Sequence, residues 1–209
     1  MNTFYGEKNE ELYVDEILRS YFPDYNYKGV FIDVGAFEPI LISNSYHFEI
    51  TGWDTYLFEA NTDLIDNLKK HRKNVYNYAI YDENKDNVEF NIVTSNGWTA
   101  GFSAIELNTD LANYFKCDNK QYKKINVEQK TLNNIFENEL KDVTQIDILQ
   151  LDIEGGELKC LYGFNLDKYK PKLILIENVL NDINIHNHLL MNGYKLDKKV
   201  SYNHFYIRL

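Results

Sequence analysis

Short apolar runs alternate along this chain with longer segments in which apolar residues recur at helical spacing. Runs of this length predict strands buried on both faces, as in a parallel sheet. They occupy residues 30–34, 55–59, 75–80, 145–151 and 172–176, and a run of alternating polarity occupies residues 87–93. Two final runs, 194–198 and 205–209, predict an antiparallel pair at the C-terminus.

The segments between these runs predict helices, because capping or breaking residues stand at their ends. Ser43 or Asn44 is a suitable N-cap for the second helix, Pro23 ends the first and Gly193 ends the last. The predicted helices are residues 7–22, 43–50, 62–72, 132–140 and Ile183–Met191, with a short one beginning after residue 152. Strands that alternate with helices predict an α/β fold with right-handed crossovers and helices on both faces of the sheet.

One domain covering residues 1–209 accounts for the pattern, with residues 1–28 as an N-terminal helical extension. Residues 94–130 are irregular and rich in Asn, Gly and aromatic residues, which is typical of a functional loop. Within this segment Trp98, Phe102 and Ser103 either stack on a sugar ring or hold the loop against the core.

Composition and charge narrow the range of partners. The formal net charge is −10 and the sequence pI is about 5.0, so the basic footprint of a nucleic-acid-binding protein is absent. Cys117 and Cys160 lack CxxC spacing, which argues against a disulfide framework or a structural zinc site. No apolar run reaches the roughly 18–20 residues of a membrane span. We therefore expect a cytoplasmic protein with no membrane span and no nucleic-acid partner.

The predicted strand ends carry small and acidic residues, where ligands of open α/β sheets bind. Asp33 and Gly35 end the first strand, Glu59 ends the second, and carboxylates also end the two strands that follow the irregular segment. An acidic residue at about the separation of Glu59 from Gly35 typically binds ribose hydroxyls. A dinucleotide site would need G-x-G-x-x-G, and Glu38 would repel a pyrophosphate. S-adenosylmethionine, which is cationic and has no phosphate, suits these strand ends better.

Several stretches together resemble the FkbM-type methyltransferases. The resemblance implies a Rossmann-like class I methyltransferase fold, with a mostly parallel seven-stranded sheet and a C-terminal antiparallel strand. It also implies an S-adenosylmethionine-dependent O-methyltransferase that acts on a hydroxyl of a sugar, such as a deoxyhexose, or of a glycan. The matching stretches are FIDVGAFEP (31–39), SNSY (43–46), GW (52–53), LFEAN (57–61), LQLDIEGGE (149–157), LYGF (161–164) and ILIE (174–177).

The same resemblance implies roles for individual residues around the cofactor. Asp33, Gly35 and Ala36 would line its methionine part, and Ser45 would help to hold its carboxylate. Glu59 would bind the ribose. Ala79 and Ile80 would flank the adenine, and Asp152 would lie beside the transferred methyl group.

Three carboxylates are predicted to lie together on the acceptor side. Asp152 and Glu154 are two residues apart at a strand end, and Glu177 ends the neighbouring strand. Carboxylates this close repel one another unless protons or a cation intervene, and Mg²⁺ or Mn²⁺ prefers such oxygen ligands. A bound metal would also orient and acidify a sugar hydroxyl. The alternative is a general base without a metal, either a carboxylate or His204, near the end of the sheet.

Two other classes of protein stay open on the sequence. One is another nucleotide-binding enzyme, such as a dehydrogenase, against which the lack of G-x-G-x-x-G counts. The other is a non-catalytic nucleoside- or glycan-binding domain that retains the fold. The oligomeric state is open as well.

Overall fold

The computed structural model describes residues 3–9, 11–93, 103–106, 108–114 and 122–209. The strands in chain order are β1 (Lys8–Asn9), β2 (Leu12–Tyr13), β3 (Val30–Val34), β4 (Asp54–Phe58), β5 (Asn74–Tyr76), β6 (Ala79–Ile80), β7 (Lys85–Val93), β8 (Tyr122–Lys130), β9 (Ile148–Leu151), β10 (Leu173–Glu177), β11 (Tyr194–Val200) and β12 (Asn203–Arg208). The helices are α1 (Val14–Tyr21), α2 (Tyr46–Ile50), α3 (Thr62–His71), α4 (Thr109–Tyr114), α5 (Leu132–Asn138), α6 (Glu157–Tyr162), α7 (Leu166–Tyr169) and α8 (Ile183–Met191).

A mixed sheet of seven strands forms the centre of the fold, in the order β11-β12-β10-β9-β3-β4-β5. The five strands from β10 to β5 run parallel, whereas β12 is antiparallel to both β10 and β11. The α/β class and the C-terminal antiparallel pair predicted from the sequence are therefore confirmed. The sheet is mixed because β12 enters between two strands that run the other way.

Helices cover both faces of this sheet. Because successive side chains of a strand point to opposite sides, each strand contacts helices on both faces. Phe31 packs with α1 and α2 on one face, and α3 covers the same face beside Leu57. Its neighbour Ile32 packs with α5, α6 and α8 on the other face. The apolar runs predicted as strands are thus buried from both sides, which explains why they contain so few polar residues.

The predicted third strand, residues 75–80, is wrong as a single element. It divides into β5 in the central sheet and β6 in a second sheet of order β6-β8-β7. Asn77 lies between β5 and β6. Its side chain donates to the carbonyls of Glu59 and Ala60, at 2.8 and 3.2 Å, and so ties this break to the end of β4. The strand β8 also falls in the segment predicted to be irregular.

The first two helices begin later than predicted. A short β1–β2 pair precedes α1, which begins at Val14. The helix α2 begins at Tyr46, and the side chains predicted as its N-cap make other bonds. The Ser43 hydroxyl accepts from Arg72, and the Asn44 Oδ1 accepts from the N–H of Glu7. In the part of the chain that is described, no helix has both the length and the apolar character needed to cross a membrane.

Candidate active site

A cavity of about 430 Å³ lies beyond the carboxyl ends of the parallel strands. Its volume is within the range of sites for small ligands. Its floor comes from the ends of β3, β4, β9 and β10, and one wall comes from the second sheet and residues 103–105. Sequence-predicted residues that line it are Gly35, Glu59, Ala79, Ile80, Asp152, Glu154, Glu177 and Ser103.

Gly35 allows two strand ends to meet at the floor of the cavity. Its N–H donates to the Phe58 carbonyl at 2.9 Å, and its φ is +90°, a conformation that favours glycine. A Cβ at this position would lie 1.8 Å from the carbonyl oxygen of Asp152. Only a residue without a side chain can therefore occupy position 35, where the chain leaves β3 and contacts the residue that follows β9.

Glu59 is almost fully buried at the end of β4, where its carboxylate holds two loops. Its Oε1 accepts from the N–H of Asn61 at 2.7 Å, and its Oε2 accepts from the N–H of Phe37 at 3.0 Å. Burial raises the pKa of the carboxyl, although these bonds favour the charged form. A carboxylate has about four acceptor sites, so these bonds are compatible with further bonds to ligand hydroxyls.

The three predicted acceptor-side carboxylates do come together. One ligand atom from each of Asp152, Glu154 and Glu177 lies within 4.8 Å of the others. Burial is the main cause that raises the pKa of both Asp152 and Glu177. The charge of Glu177 adds to the shift of Asp152, and the charge of Glu154 adds to the shift of Glu177. This arrangement is electrostatically costly unless protons or a cation neutralise it.

The turn that carries Glu154 is shaped by its neighbours. Glu154 itself has a φ of 57° and Gly155 a φ of 97°, so two consecutive residues are left-handed. The Glu157 carboxylate accepts from the N–H groups of Ile153 and Gly155, at 3.0 and 3.1 Å. Glu157 therefore fixes the turn, which places the Glu154 side chain beside the ends of β9 and β10.

Three residues predicted to bind the cofactor lie behind the cavity wall. Asp33, Ala36 and Ser45 are buried and are not among the residues that line the cavity. The Ser45 hydroxyl donates to Asp33 and accepts from Arg72. Burial raises the pKa of Asp33. Their predicted contact with the cofactor stays a prediction, and in this structure they support the loop that follows β3.

Arg72 is a supporting residue that the sequence did not indicate. Its buried guanidinium pairs with Glu49 at 2.9 Å and donates to the Pro39 carbonyl and to the Ser43 hydroxyl, each at 3.0 Å. It therefore ties the loop after β3 to α2. In the sequence it stands beside Lys and His at a helix end, where basic residues are usually exposed.

His204 lies near the cavity but outside its lining. It stands on β12 opposite Ile176 and is 2% exposed. Burial lowers its pKa to about 4, and its Nδ1 is 3.5 Å from the amide nitrogen of Asn178. Its predicted role as a base is untested, and the three carboxylates are closer to where a ligand would lie.

Glu7 and Tyr202 also line the cavity, and no sequence motif indicated either. They come from opposite ends of the chain, so their proximity depends on the tertiary fold. Trp98 and Phe102, which were candidates for stacking on a sugar, are outside the described residues.

The site is an acidic cavity at the strand ends of an α/β sheet, and a comparison of the sequence with protein families agrees with it. A family model described as a methyltransferase FkbM domain matches residues 33–195. The chain therefore belongs to the FkbM methyltransferase family. No curated protein gives a significant match to the chain.

Proposed function

We propose that the protein is an S-adenosylmethionine-dependent O-methyltransferase whose acceptor is a hydroxyl of a small sugar or of a glycan. The observation that carries the proposal is one cavity that joins two kinds of site. Gly35 and Glu59, which are expected to contact the donor, line the same cavity as the cluster of Asp152, Glu154 and Glu177. Membership of a methyltransferase family supports S-adenosylmethionine as the methyl donor. A cytoplasmic location is part of the same proposal.

The donor side would bind S-adenosylmethionine, which supplies an electrophilic methyl group. Gly35 lets the backbone approach the ligand, and Glu59 would accept hydrogen bonds from ribose hydroxyls. Ala79 and Ile80 are buried apolar residues of the cavity wall and would pack on the adenine. The lining contains several carboxylates, which suits a ligand with sulfonium and ammonium groups.

The acceptor side would hold a divalent ion between Asp152, Glu154 and Glu177. The close approach of their oxygens supports this, because an oxygen-ligated Mg²⁺ or Mn²⁺ would neutralise a cluster that is otherwise repulsive. Such an ion would lower the pKa of an acceptor hydroxyl. The three side chains would then orient that hydroxyl toward the donor.

Two alternatives make different predictions. Without a metal, one of the three carboxylates or His204 would remove the proton from the acceptor hydroxyl. A non-catalytic domain of the same fold would bind the nucleoside and transfer nothing. The cavity geometry favours the carboxylates over His204, whose side chain is not in the lining.

The test has two parts: a manganese titration of the protein saturated with S-adenosylhomocysteine, and a separate assay of methyl transfer from S-adenosylmethionine to a panel of methyl glycosides. We expect one Mn²⁺ site that is lost in Asp152→Asn and kept in Asp86→Asn, an exposed control. We also expect a glycoside to gain one methyl group, as detected by mass spectrometry. Methyl transfer that persists in the presence of a chelator would contradict the metal-assisted mechanism and favour a general base. Nucleoside binding without any transfer would favour the non-catalytic domain.

A further inference from the structure

The N-terminal segment, residues 3–9, is fastened to the domain at several points. Asp15 accepts from the N–H of Tyr5 at 2.7 Å, and Asn44 accepts from the N–H of Glu7 at 3.1 Å. The His47 Nδ1 donates to the Thr3 carbonyl at 2.9 Å. Ordering a segment costs conformational entropy, which these bonds offset. The segment is thus built into the structure rather than appended to it.

These bonds bring the Glu7 side chain into the acceptor end of the cavity. Its Oε2 accepts from the Asn203 amide at 2.9 Å, and Asn203 lies directly opposite Glu177 in the sheet. Glu7, Asp152 and Glu177 all line this cavity. Glu7 is therefore close enough to the acidic cluster to influence it.

The family match does not account for this end of the cavity. It spans residues 33–195, so Glu7, Tyr202 and Asn203 all lie outside it. The Asn178 N–H donates to the Tyr202 carbonyl at 2.8 Å, which holds the β11–β12 turn against the end of β10. The two ends of the chain together complete a wall that faces the cluster.

Acidic side chains are prominent in the lining of the cavity. Among its described residues there are five carboxylates, and there is no Lys, Arg or His. No basic side chain of this lining could therefore pair with a phosphate or carboxylate group of an acceptor, and the Glu7 carboxylate, which is not one of the three proposed metal ligands, would repel such a group. Hydroxyl groups, in contrast, donate to carboxylates, and a carboxylate can accept from several donors at once.

We propose that Glu7 binds the acceptor and selects an uncharged polyhydroxylated group over one that carries phosphate or carboxylate. The inference rests on the proposed function and names its substrate class. The bond from Asn203 holds the Glu7 side chain at the cavity, where its carboxylate would accept hydrogen bonds from sugar hydroxyls. Because Glu7 stands beside Asp152 and Glu177, it would hold the acceptor next to the residues that orient the reacting hydroxyl.

The experiment measures glycoside binding by saturation-transfer NMR, with the protein saturated with S-adenosylhomocysteine. The probes are the methyl glycosides of glucose, fucose and rhamnose, together with methyl glucuronoside and glucose 6-phosphate. Glu7→Gln retains the size and the acceptor for Asn203 but removes the charge. Glu11→Gln is the matched control, because Glu11 is exposed, follows this segment closely in the chain and does not line the cavity.

We expect at least one neutral glycoside to bind the wild type and to bind Glu7→Gln about tenfold more weakly, as for loss of a charged hydrogen bond. Affinity for S-adenosylhomocysteine should stay within about twofold in both variants, and Glu11→Gln should match the wild type. The proposal is overturned if Glu7→Gln binds the glycoside normally or if the anionic sugars bind as tightly as the neutral ones. It is equally overturned if no neutral glycoside binds or if the nucleoside affinity falls with the glycoside affinity. Failure of S-adenosylhomocysteine to bind the wild type would instead contradict the proposed function itself.

Discussion

Gly35 illustrates how one residue determines whether the cavity floor can form. Its replacement by Ala would place a methyl group on the Asp152 carbonyl and would force an L-residue to a φ of +90°. We expect Gly35→Ala to lower the free energy of unfolding by at least about 3 kcal/mol, from strain and overlap together. Gly193→Ala is the control, because its φ is +79° but nothing lies within 4 Å of the new Cβ. It should cost only about 1 kcal/mol in urea unfolding; equal losses for the two variants would show that the contact with Asp152 does not matter.

The buried carboxyl of Asp15 makes the stability of the protein depend on pH. Burial raises its pKa from 3.8 to about 6, so the folded protein binds this proton more tightly than the unfolded chain. The contribution of Asp15 to stability is therefore complete below about pH 4 and is lost as the pH rises through 6.

Asp15→Asn removes that titration. We expect the free energy of unfolding of the variant, relative to the wild type, to rise by about 2 kcal/mol between pH 4 and pH 7. Any fixed cost of the new amide cancels in this comparison. Denaturant unfolding at the two pH values measures the difference, and parallel behaviour of the two proteins would show that Asp15 titrates normally.

At the scale of elements, the loop between β3 and α2 depends on a helix that follows it in the chain. Arg72, at the end of α3, bonds to Pro39, Ser43, Ser45 and Glu49. Part of the same loop lines the cavity. Arg72 therefore links the position of α3 to the shape of the site, although Arg72 itself does not line the cavity.

Arg72→Met should lower the free energy of unfolding by about 3–5 kcal/mol, because it leaves the Glu49 carboxylate buried without its cation. The double variant Arg72→Met/Glu49→Gln has no uncompensated charge in this pair and should recover part of the loss. Urea unfolding of the wild type, of the single variants Arg72→Met and Glu49→Gln, and of the double variant measures this. A double variant that loses the sum of the two single effects would mean that the ion pair is not the source of stability.

At the scale of the whole molecule, local pattern predicted the central sheet better than it predicted the site. Strands such as β3 and β10 are recognisable because both faces are buried and an acidic residue lies near the carboxyl end of the apolar run. The division of residues 75–80 depends on a side-chain bond from Asn77 to the end of another strand. No periodicity contains that information, since the contact exists only after the strands have assembled.

In the candidate site too, some positions were predictable from the sequence and others depend on tertiary contacts. The clustering of Asp152, Glu154 and Glu177 follows from strand order, which the alternation of elements suggests. The position of Glu7 does not, because Glu7 reaches the cavity through Asn203, near the opposite end of the chain. We propose on these contacts that the whole chain acts as one domain.

The proposed cofactor is a nucleoside without phosphate, and calorimetric titration of S-adenosylhomocysteine into the wild-type protein measures whether the cavity binds it. NAD serves as the comparison ligand, because a dehydrogenase would bind it instead. We predict micromolar binding of S-adenosylhomocysteine at one site and no measurable binding of NAD. Absence of nucleoside binding at millimolar concentration, or tighter binding of NAD, would contradict the proposed function.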